Sequence, residues 1–398
     1  MKKAYIVTFL TAVLAVVMFY FIAAEVRDTD TGRTVKIGVI YVGDVSDAYT
    51  HNFVKAVNSI ENTYGDKVEI LPKYNIAEGK EEAVISELVD SGCDIIFGTS
   101  FGYASAMKKI AMSHPDIEFC MATATNAGEE PFLDNYHTFM GEIYEGRYAA
   151  GVVAGMKLKE LINKGVISGE DVRVGYVAAF PYAEVISGYT AFFMGVRSEV
   201  ENAVMYVKYT SSWSDYVLEK KYADELIDEG CILISQHSDT AGPAVACEER
   251  DVSTMVYHVG YNISMLDVAP TTSLVSSRIN WEPYMVSAVG AVIEGRSIEE
   301  CVKGNKYGND VGAGFERDWV QLTSINENIV APGTSARVAE IIDGFKDGSI
   351  NVFKGDYTGT DPFDPTDTID LKGGYTENSN SSAPTFHYVL DDCIIVEE

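Results

Sequence analysis

Residues 87–96 read Glu-Leu-Val-Asp-Ser-Gly-Cys-Asp-Ile-Ile, and residues 225–234 read Glu-Leu-Ile-Asp-Glu-Gly-Cys-Ile-Leu-Ile. In each copy an apolar helical run (Val84, Leu88, Val89; Leu226, Ile227) stops at a glycine suited to a left-handed cap, and a short apolar run follows at once. That is the helix-to-strand corner of a parallel sheet. Its repetition predicts two similar halves. Each strand then gives way to small and polar residues, Gly98-Thr-Ser-Phe-Gly102 in the first half and Gln236-His-Ser-Asp-Thr240 in the second. In doubly wound sheets ligands bind beyond the carboxyl ends of the strands. If the halves face each other, the two tips are opposite walls of one cleft.

Outward from the first corner, 36–42 is a β-rich run, 43–47 a turn, and 51–64 carries Phe53, Val54, Val57 and Ile60 at helical spacing. The same order recurs at 68–71 with 80–91, at 94–97 with 103–112, and at 118–122; a long helix over 146–164 closes the first half. The second half restarts at Arg173-Val-Gly-Tyr-Val-Ala178, with a helix over 183–198. Strands at 204–209, 232–235, 255–259 and 274–279 follow, interleaved with helices ending at 229 and covering 244–250 and 283–294. Strands alternating with helices imply parallel sheets and right-handed crossovers. After about residue 351 the chain is rich in Gly, Asp and Ser, and 378–382 reads as a surface loop.

A chain of 398 residues is too long for one core and suits two domains. Its net charge of −29 repels phosphate backbones and anionic membrane surfaces, which argues against nucleic acid as a partner. The six cysteines stand singly, without a C-x-x-C, and Cys93 and Cys231 precede apolar runs where a thiol behaves as a small hydrophobe. No metal site and no cofactor is expected. Lys2 and Lys3 precede an uncharged stretch from Ala4 to Ala24, read as an export signal. Its length favours an uncleaved anchor, since a spanning helix needs roughly 20 residues and the apolar core of a cleaved signal about 7–15; Ala23-Ala24 is the candidate cleavage site. The lysines leave the large domain outside the cytoplasm. Residues 1–25 are thus signal peptide or membrane anchor and 26–35 a tether.

Five stretches carry a family resemblance: Tyr41-Val-Gly-Asp-Val-Ser-Asp47, Tyr144-Glu-Gly-Arg-Tyr148, Gln236-His-Ser-Asp-Thr240, Val259-Gly-Tyr261 and Arg278-Ile-Asn-Trp-Glu-Pro-Tyr284. In this order, over residues 36–360, they resemble the basic membrane protein family of substrate-binding proteins, which deliver purine nucleosides or bases to ABC importers. The resemblance implies a type I periplasmic-binding-protein fold: two Rossmann-like lobes with parallel sheets, joined by a three-crossing hinge. Lobe 1 is expected over 36–160 and 265–305, and lobe 2 over 161–264 and 306–398. It also implies a purine ligand and an ABC permease as partners. There are two departures from the family pattern. No cysteine precedes Cys93, so N-terminal acylation is excluded and the apolar segment must do any anchoring. Where nucleoside-binding members carry an aspartate after the glycine of the last second-lobe strand, this chain reads Gly260-Tyr-Asn-Ile-Ser264 and is closer to the free-base branch.

A purine needs aromatic faces, acceptors for its N–H groups and donors for its ring nitrogens. Tyr49, Phe101 and Trp213 sit at strand ends, where stacking would contribute roughly 1–3 kcal/mol each; the alternative for each is ordinary loop packing. Asp47 and Asp239 are the acids expected in the cleft as charge-assisted acceptors, against a turn or N-cap role. His237, Gly102, Gly260 and Asn262 complete the expected ligand-binding set, with His237 equally suited to holding a neighbouring loop. Trp281 reads as hinge packing. Gly98-Thr-Ser-Phe-Gly102 also matches G-x-S-x-G, a nucleophile elbow that would make Ser100 the nucleophile of a serine hydrolase. The second corner has no matching glycine frame and no His-Gly-Gly segment exists, so no catalytic residue is assigned. A ligand-sensing receptor with the same cleft is the other alternative.

Overall fold

The computed structural model describes residues 33–251 and 253–397; the expected signal or anchor and most of the tether lie outside them. The first half builds β1 (Val35–Ile40), α1 (Ala48–Tyr64), β2 (Val68–Lys73), α2 (Glu81–Asp90), β3 (Ile95–Gly98), α3 (Ala104–Ala111), β4 (Glu118–Ala122) and β5 (Tyr136–Gly141). The second half builds α4 (Ile143–Asn163), β6 (Arg173–Ala178), α5 (Ala183–Arg197), β7 (Val204–Tyr209), α6 (Tyr216–Asp228), β8 (Leu233–His237), α7 (Gly242–Glu248), β9 (Tyr257–Tyr261) and β10 (Ser273–Ile279). Each set of five strands forms a parallel sheet in the order 2-1-3-4-5, so β1 and β6, β3 and β8, and β5 and β10 are counterparts.

The repeated corner has the expected geometry. Gly92 and Gly230 adopt φ of 76° and 94°. Cys93 and Cys231 then donate their N–H groups back to the carbonyls of Leu88 (3.2 Å) and Leu226 (3.0 Å), which turns the chain into β3 and β8. Both cysteines are buried and free.

After β10 the chain returns to the first lobe. α8 (Glu282–Glu294) packs on α1, with the Tyr64 hydroxyl donating to the Val286 carbonyl at 2.8 Å. β11 (Asn305–Tyr307) and β12 (Asp310–Ala313) then extend the first sheet beside β5. β13 (Val320–Leu322) crosses back to lie antiparallel to β10. The sheets are thus linked at three places: residue 142, residues 280–281 and residues 314–319. The sequence expectation put the lobe changes at 160/161, 264/265 and 305/306. The difference arises because α4 is apolar on both flanks: Ala149 and Val152 join one core, Ala150 and Val153 the other. Its pattern therefore does not reveal which sheet it follows. Its main partner is α5, reached through glycine: a methyl group at Gly151 would lie 1.9 Å from the Phe192 carbonyl oxygen.

The C-terminal part contains α10 (Thr334–Lys346), preceded by the short α9 (Ile298–Cys301). A small antiparallel sheet follows, of β14 (Thr358–Thr360), β15 (Thr368–Asp370) and β16 (Val389–Leu390). β17 (Ile394–Glu397) pairs in parallel with β7 as the outer strand of the second sheet. The expectation of a surface loop at 378–382 holds only for its tip, because Asn378 and Ser382 are buried. Ser382 donates its backbone N–H to Asp310 at 2.7 Å, and Asn378 Nδ2 donates to the Ser382 carbonyl at 2.7 Å. Polar composition disguised a segment anchored by these buried hydrogen bonds, although Asn378 Oδ1 has no partner among the described residues.

Candidate functional site

The carboxyl ends of the two sheets face each other across a cavity of about 50 Å³. Val42, Tyr49, Ser100, Phe101 and Thr123 line it from the first lobe. Glu184, Trp213, His237, Asp239 and Tyr261 line it from the second. No lysine or arginine is among them.

On the first wall, Tyr49 stands in the opening turn of α1 and its hydroxyl donates to the Thr99 carbonyl at 2.5 Å. Phe101 follows β3 and is 55% exposed, with its ring centroid 6.2 Å from that of Tyr182 on the second wall. Thr123 follows β4 with φ of 61°, an unusual conformation for a β-branched residue and one that clusters at functional sites. Ser100 Oγ donates to Glu78 Oε1 at 2.7 Å, and the Gly102 N–H reaches the same oxygen at 2.9 Å. The Ser100 hydroxyl is thus held by the Glu78 carboxylate.

The second wall is held by one buried acid. Glu219 on α6 accepts from Ser238 Oγ (2.8 Å), Thr240 Oγ1 (2.7 Å), the Thr240 N–H (3.2 Å) and the Asp215 N–H (3.0 Å). It ties the loop bearing Trp213 to the loop bearing Asp239, and the Asp239 N–H adds a 2.9 Å bond to the Trp213 carbonyl. Burial pushes the Asp239 carboxyl well above the usual carboxylate range, and the neighbouring Asp47, Glu219 and Glu184 push it further. Asn262 opposes this by donating to Asp239 Oδ1 at 2.7 Å. His237 is held down to about 4 by burial and by the Arg147 guanidinium, so its imidazole is neutral. Trp213 packs edge-on against Phe180, with ring centroids 5.1 Å apart.

Five of the nine expected residues line the cavity: Tyr49, Phe101, Trp213, His237 and Asp239. The other four stand behind it. Asp47 caps α1, accepting from the Thr50 N–H at 2.7 Å. Gly102 faces Glu78, and Gly260 lies in β9 against Ser276. Asn262 has φ of 66°, which aims its side chain at Asp239 while its carbonyl accepts from Asn52 Nδ2 of the opposite lobe at 2.8 Å. Trp281 is buried in the first-lobe core, stacked on Phe53 at 4.4 Å beside the second lobe crossing.

Sequence reasoning missed Val42, Thr123, Glu184 and Tyr261 as lining residues, and weighed Ser100 only as a nucleophile. The available signal was pseudo-symmetry: Glu184 opens α5 as Tyr49 opens α1, and Tyr261 ends β9 as Ala122 ends β4. Among the described residues, Asp361, Asp367 and His387 also bring ligand-capable atoms within 4.8 Å of one another. Ion pairing accounts for that cluster, with His387 Nε2 lying 3.4 Å from Asp367 and 3.8 Å from Asp361.

Fold and cleft together define a two-lobe solute-binding protein of the type I periplasmic-binding class. A solved ABC transporter solute-binding protein from Aeropyrum pernix K1 shares the fold, with a TM-score of 0.65 over 79% of this chain and 92% of that one at 16% identity. The chain belongs to the Bmp family, the PnrA-like ABC transporter substrate-binding proteins, whose model matches residues 34–339. Most of α10 and everything after it lie beyond that match. A purine-binding protein of Brucella abortus (strain 2308) is 32% identical over 65% of this chain and 69% of its own length. A putative ABC transporter glucose-binding protein of Haloferax volcanii is 30% identical over 66% of this chain and 62% of its own length.

Proposed function

We propose that the protein captures a purine base or nucleoside between its lobes and presents it to the permease of an ABC importer. The observation that carries this reading is the cavity lining: aromatic side chains from both lobes, the carboxyl groups of Asp239 and Glu184, and no cationic side chain. Such a site suits a flat, uncharged ligand with several N–H groups and disfavours phosphorylated ones. Kinship with the Brucella purine-binding protein supports it. Binding needs no cofactor. Closure of the lobes on ligand supplies the selectivity, since only the closed form brings both walls into contact with one ring. The reading is non-enzymatic, and Ser100 serves as a polar lining residue held by Glu78. The domain works on the extracytoplasmic side, with the Ala4–Ala24 stretch as its membrane tether.

A thermal-shift screen tests the ligand class. Adenine, guanine, hypoxanthine or their nucleosides should raise the melting temperature, and their nucleotides far less. A clear shift with glucose, and none with any purine, would replace this reading by a sugar-binding one, the property named for the Haloferax relative.

A further inference from the structure

Behind the cavity, three polar groups lack the partners that burial demands. Arg147 on α4 is 1% exposed, donates Nη1 to the Gln236 carbonyl at 2.8 Å and holds its guanidinium 3.5 Å from the Tyr261 ring centroid. Its Nε and Nη2 have no hydrogen-bond partner among the described residues, and neither does Nδ1 of His237, which is 2% exposed. These groups meet at Gly188 on α5. The point where a methyl group would stand there lies 2.9 Å from His237 Nδ1 and 3.7 Å from Arg147 Nε.

This packing distinguishes the two nitrogens of the imidazole. Nδ1 looks at the Cα of Gly188 and at a guanidinium, both electropositive. A proton on Nδ1 would be a buried donor aimed at groups that accept nothing; a lone pair there meets a weak C–H contact and a favourable field. Nε2 lies on the opposite side of the ring, 3.6 Å from Oε1 of Glu184, which itself lines the cavity. The neutral ring must carry its proton on one of the two, and only Nε2 faces an acceptor, the Glu184 oxygen at 3.6 Å, a distance that leaves its N–H open to a ligand.

We propose that Arg147 and Gly188 lock His237 in the Nε2–H tautomer, making it a fixed hydrogen-bond donor that a ligand must meet with an acceptor atom. The ligand then turns a ring nitrogen toward His237 and its N–H groups toward Glu184 and Asp239. Arg147 is a positioning residue, acting through His237 without touching ligand. The ligand half of this inference rests on the cavity being a purine site; the tautomer half does not.

Two experiments separate the halves. In protein with ¹⁵N-labelled histidine, long-range ¹H–¹⁵N spectra of the ligand-free state should show Nε2–H for His237, assigned by its loss in His237→Gln. In Arg147→Met the signal should shift toward the Nδ1–H form or a mixture of the two. Nδ1–H in the unaltered protein, or an unchanged pattern in a folded Arg147→Met, overturns the lock. If Arg147→Met does not fold, the spectrum of the unaltered protein alone decides. For the ligand half, affinities are measured for a purine and for its deaza analogues, in which one ring nitrogen is replaced by C–H. One analogue should bind the unaltered protein at least tenfold more weakly than its parent, and that gap should close in His237→Leu. Equal binding of parent and all analogues to the unaltered protein overturns the donor role. Failure of every purine to bind overturns the functional reading, while the spectrum still decides the tautomer.

Discussion

Raising the pH should destabilise this protein through two carboxyls at its hinge. Glu142 and Glu145 are 6% and 5% exposed, where the first crossing enters α4. Glu142 donates its N–H to the Ala313 carbonyl at 2.9 Å and accepts from Asn305 Nδ2 at 2.8 Å; Glu145 Oε2 accepts from the Phe315 N–H at 2.7 Å. The pair therefore fastens one crossing to another. Burial pushes Glu142 up to about 7 and Glu145 up to about 8, with Glu142 adding to Glu145, Glu316 to both and Glu377 to Glu142. No cation among the described residues offsets either acid. In the unfolded chain both titrate near the usual 4.5, so between about pH 4.5 and their folded values the native state binds protons that the unfolded state has released. Stability falls as pH rises through that window, by about 1.4 kcal/mol per pH unit for each group. From pH 5 to pH 7, Glu145 alone then contributes a loss of roughly 3 kcal/mol as a ceiling. Glu145→Gln retains an oxygen for the Phe315 N–H and abolishes the titration. Urea unfolding at fixed ionic strength should show the unaltered protein losing more stability from pH 5 to pH 8 than Glu145→Gln or Glu142→Gln. Taking the difference between variants removes the slopes due to other groups. Parallel stability–pH curves for all three proteins would refute the reasoning.

Glu219→Ala should cost roughly 3 kcal/mol of stability, because it strands buried donors at Ser238 and Thr240, and should weaken ligand binding by loosening the Asp239 and Trp213 loops together; unchanged affinity by calorimetry would show that the latch does not organise the site. Phe101→Ala and Trp213→Ala should each cost about 1–3 kcal/mol of binding, with the double variant losing less than the sum if both rings hold one ligand. Strictly additive losses at unchanged stability would mean the two walls do not share it. Gly151→Ala should lower stability by about 2 kcal/mol or more, since its methyl group would stand 1.9 Å from the Phe192 carbonyl oxygen and backbone must move; a melting temperature equal to that of the unaltered protein would place the α4–α5 crossing elsewhere.

The local features were legible in the chain itself. The glycine at each repeated corner needs a left-handed backbone whatever surrounds it, so Gly92 and Gly230 announced β3 and β8, and Phe101 and Asp239 followed as residues at strand tips. What the sequence did not disclose depends on contacts between distant segments. β5 and β12 escaped because Tyr-His-Thr-Phe-Met-Gly and Asp-Val-Gly-Ala carry no alternation when both faces are buried, and their pairing joins residues 172 positions apart. The lobe that α4 belongs to was settled by which helix could approach its glycines. Asp47 and Asn262 both flank strand ends, and the fold adds what the sequence does not show, a helix-cap bond for Asp47 and a bond from Asn262 to Asp239. Glu184 and Tyr261 reach the cavity only because the lobes face each other. Short-range steric rules act through neighbouring residues and can be read from them, whereas the lining of a cleft between two lobes is set by how those lobes are hinged, which no local stretch encodes.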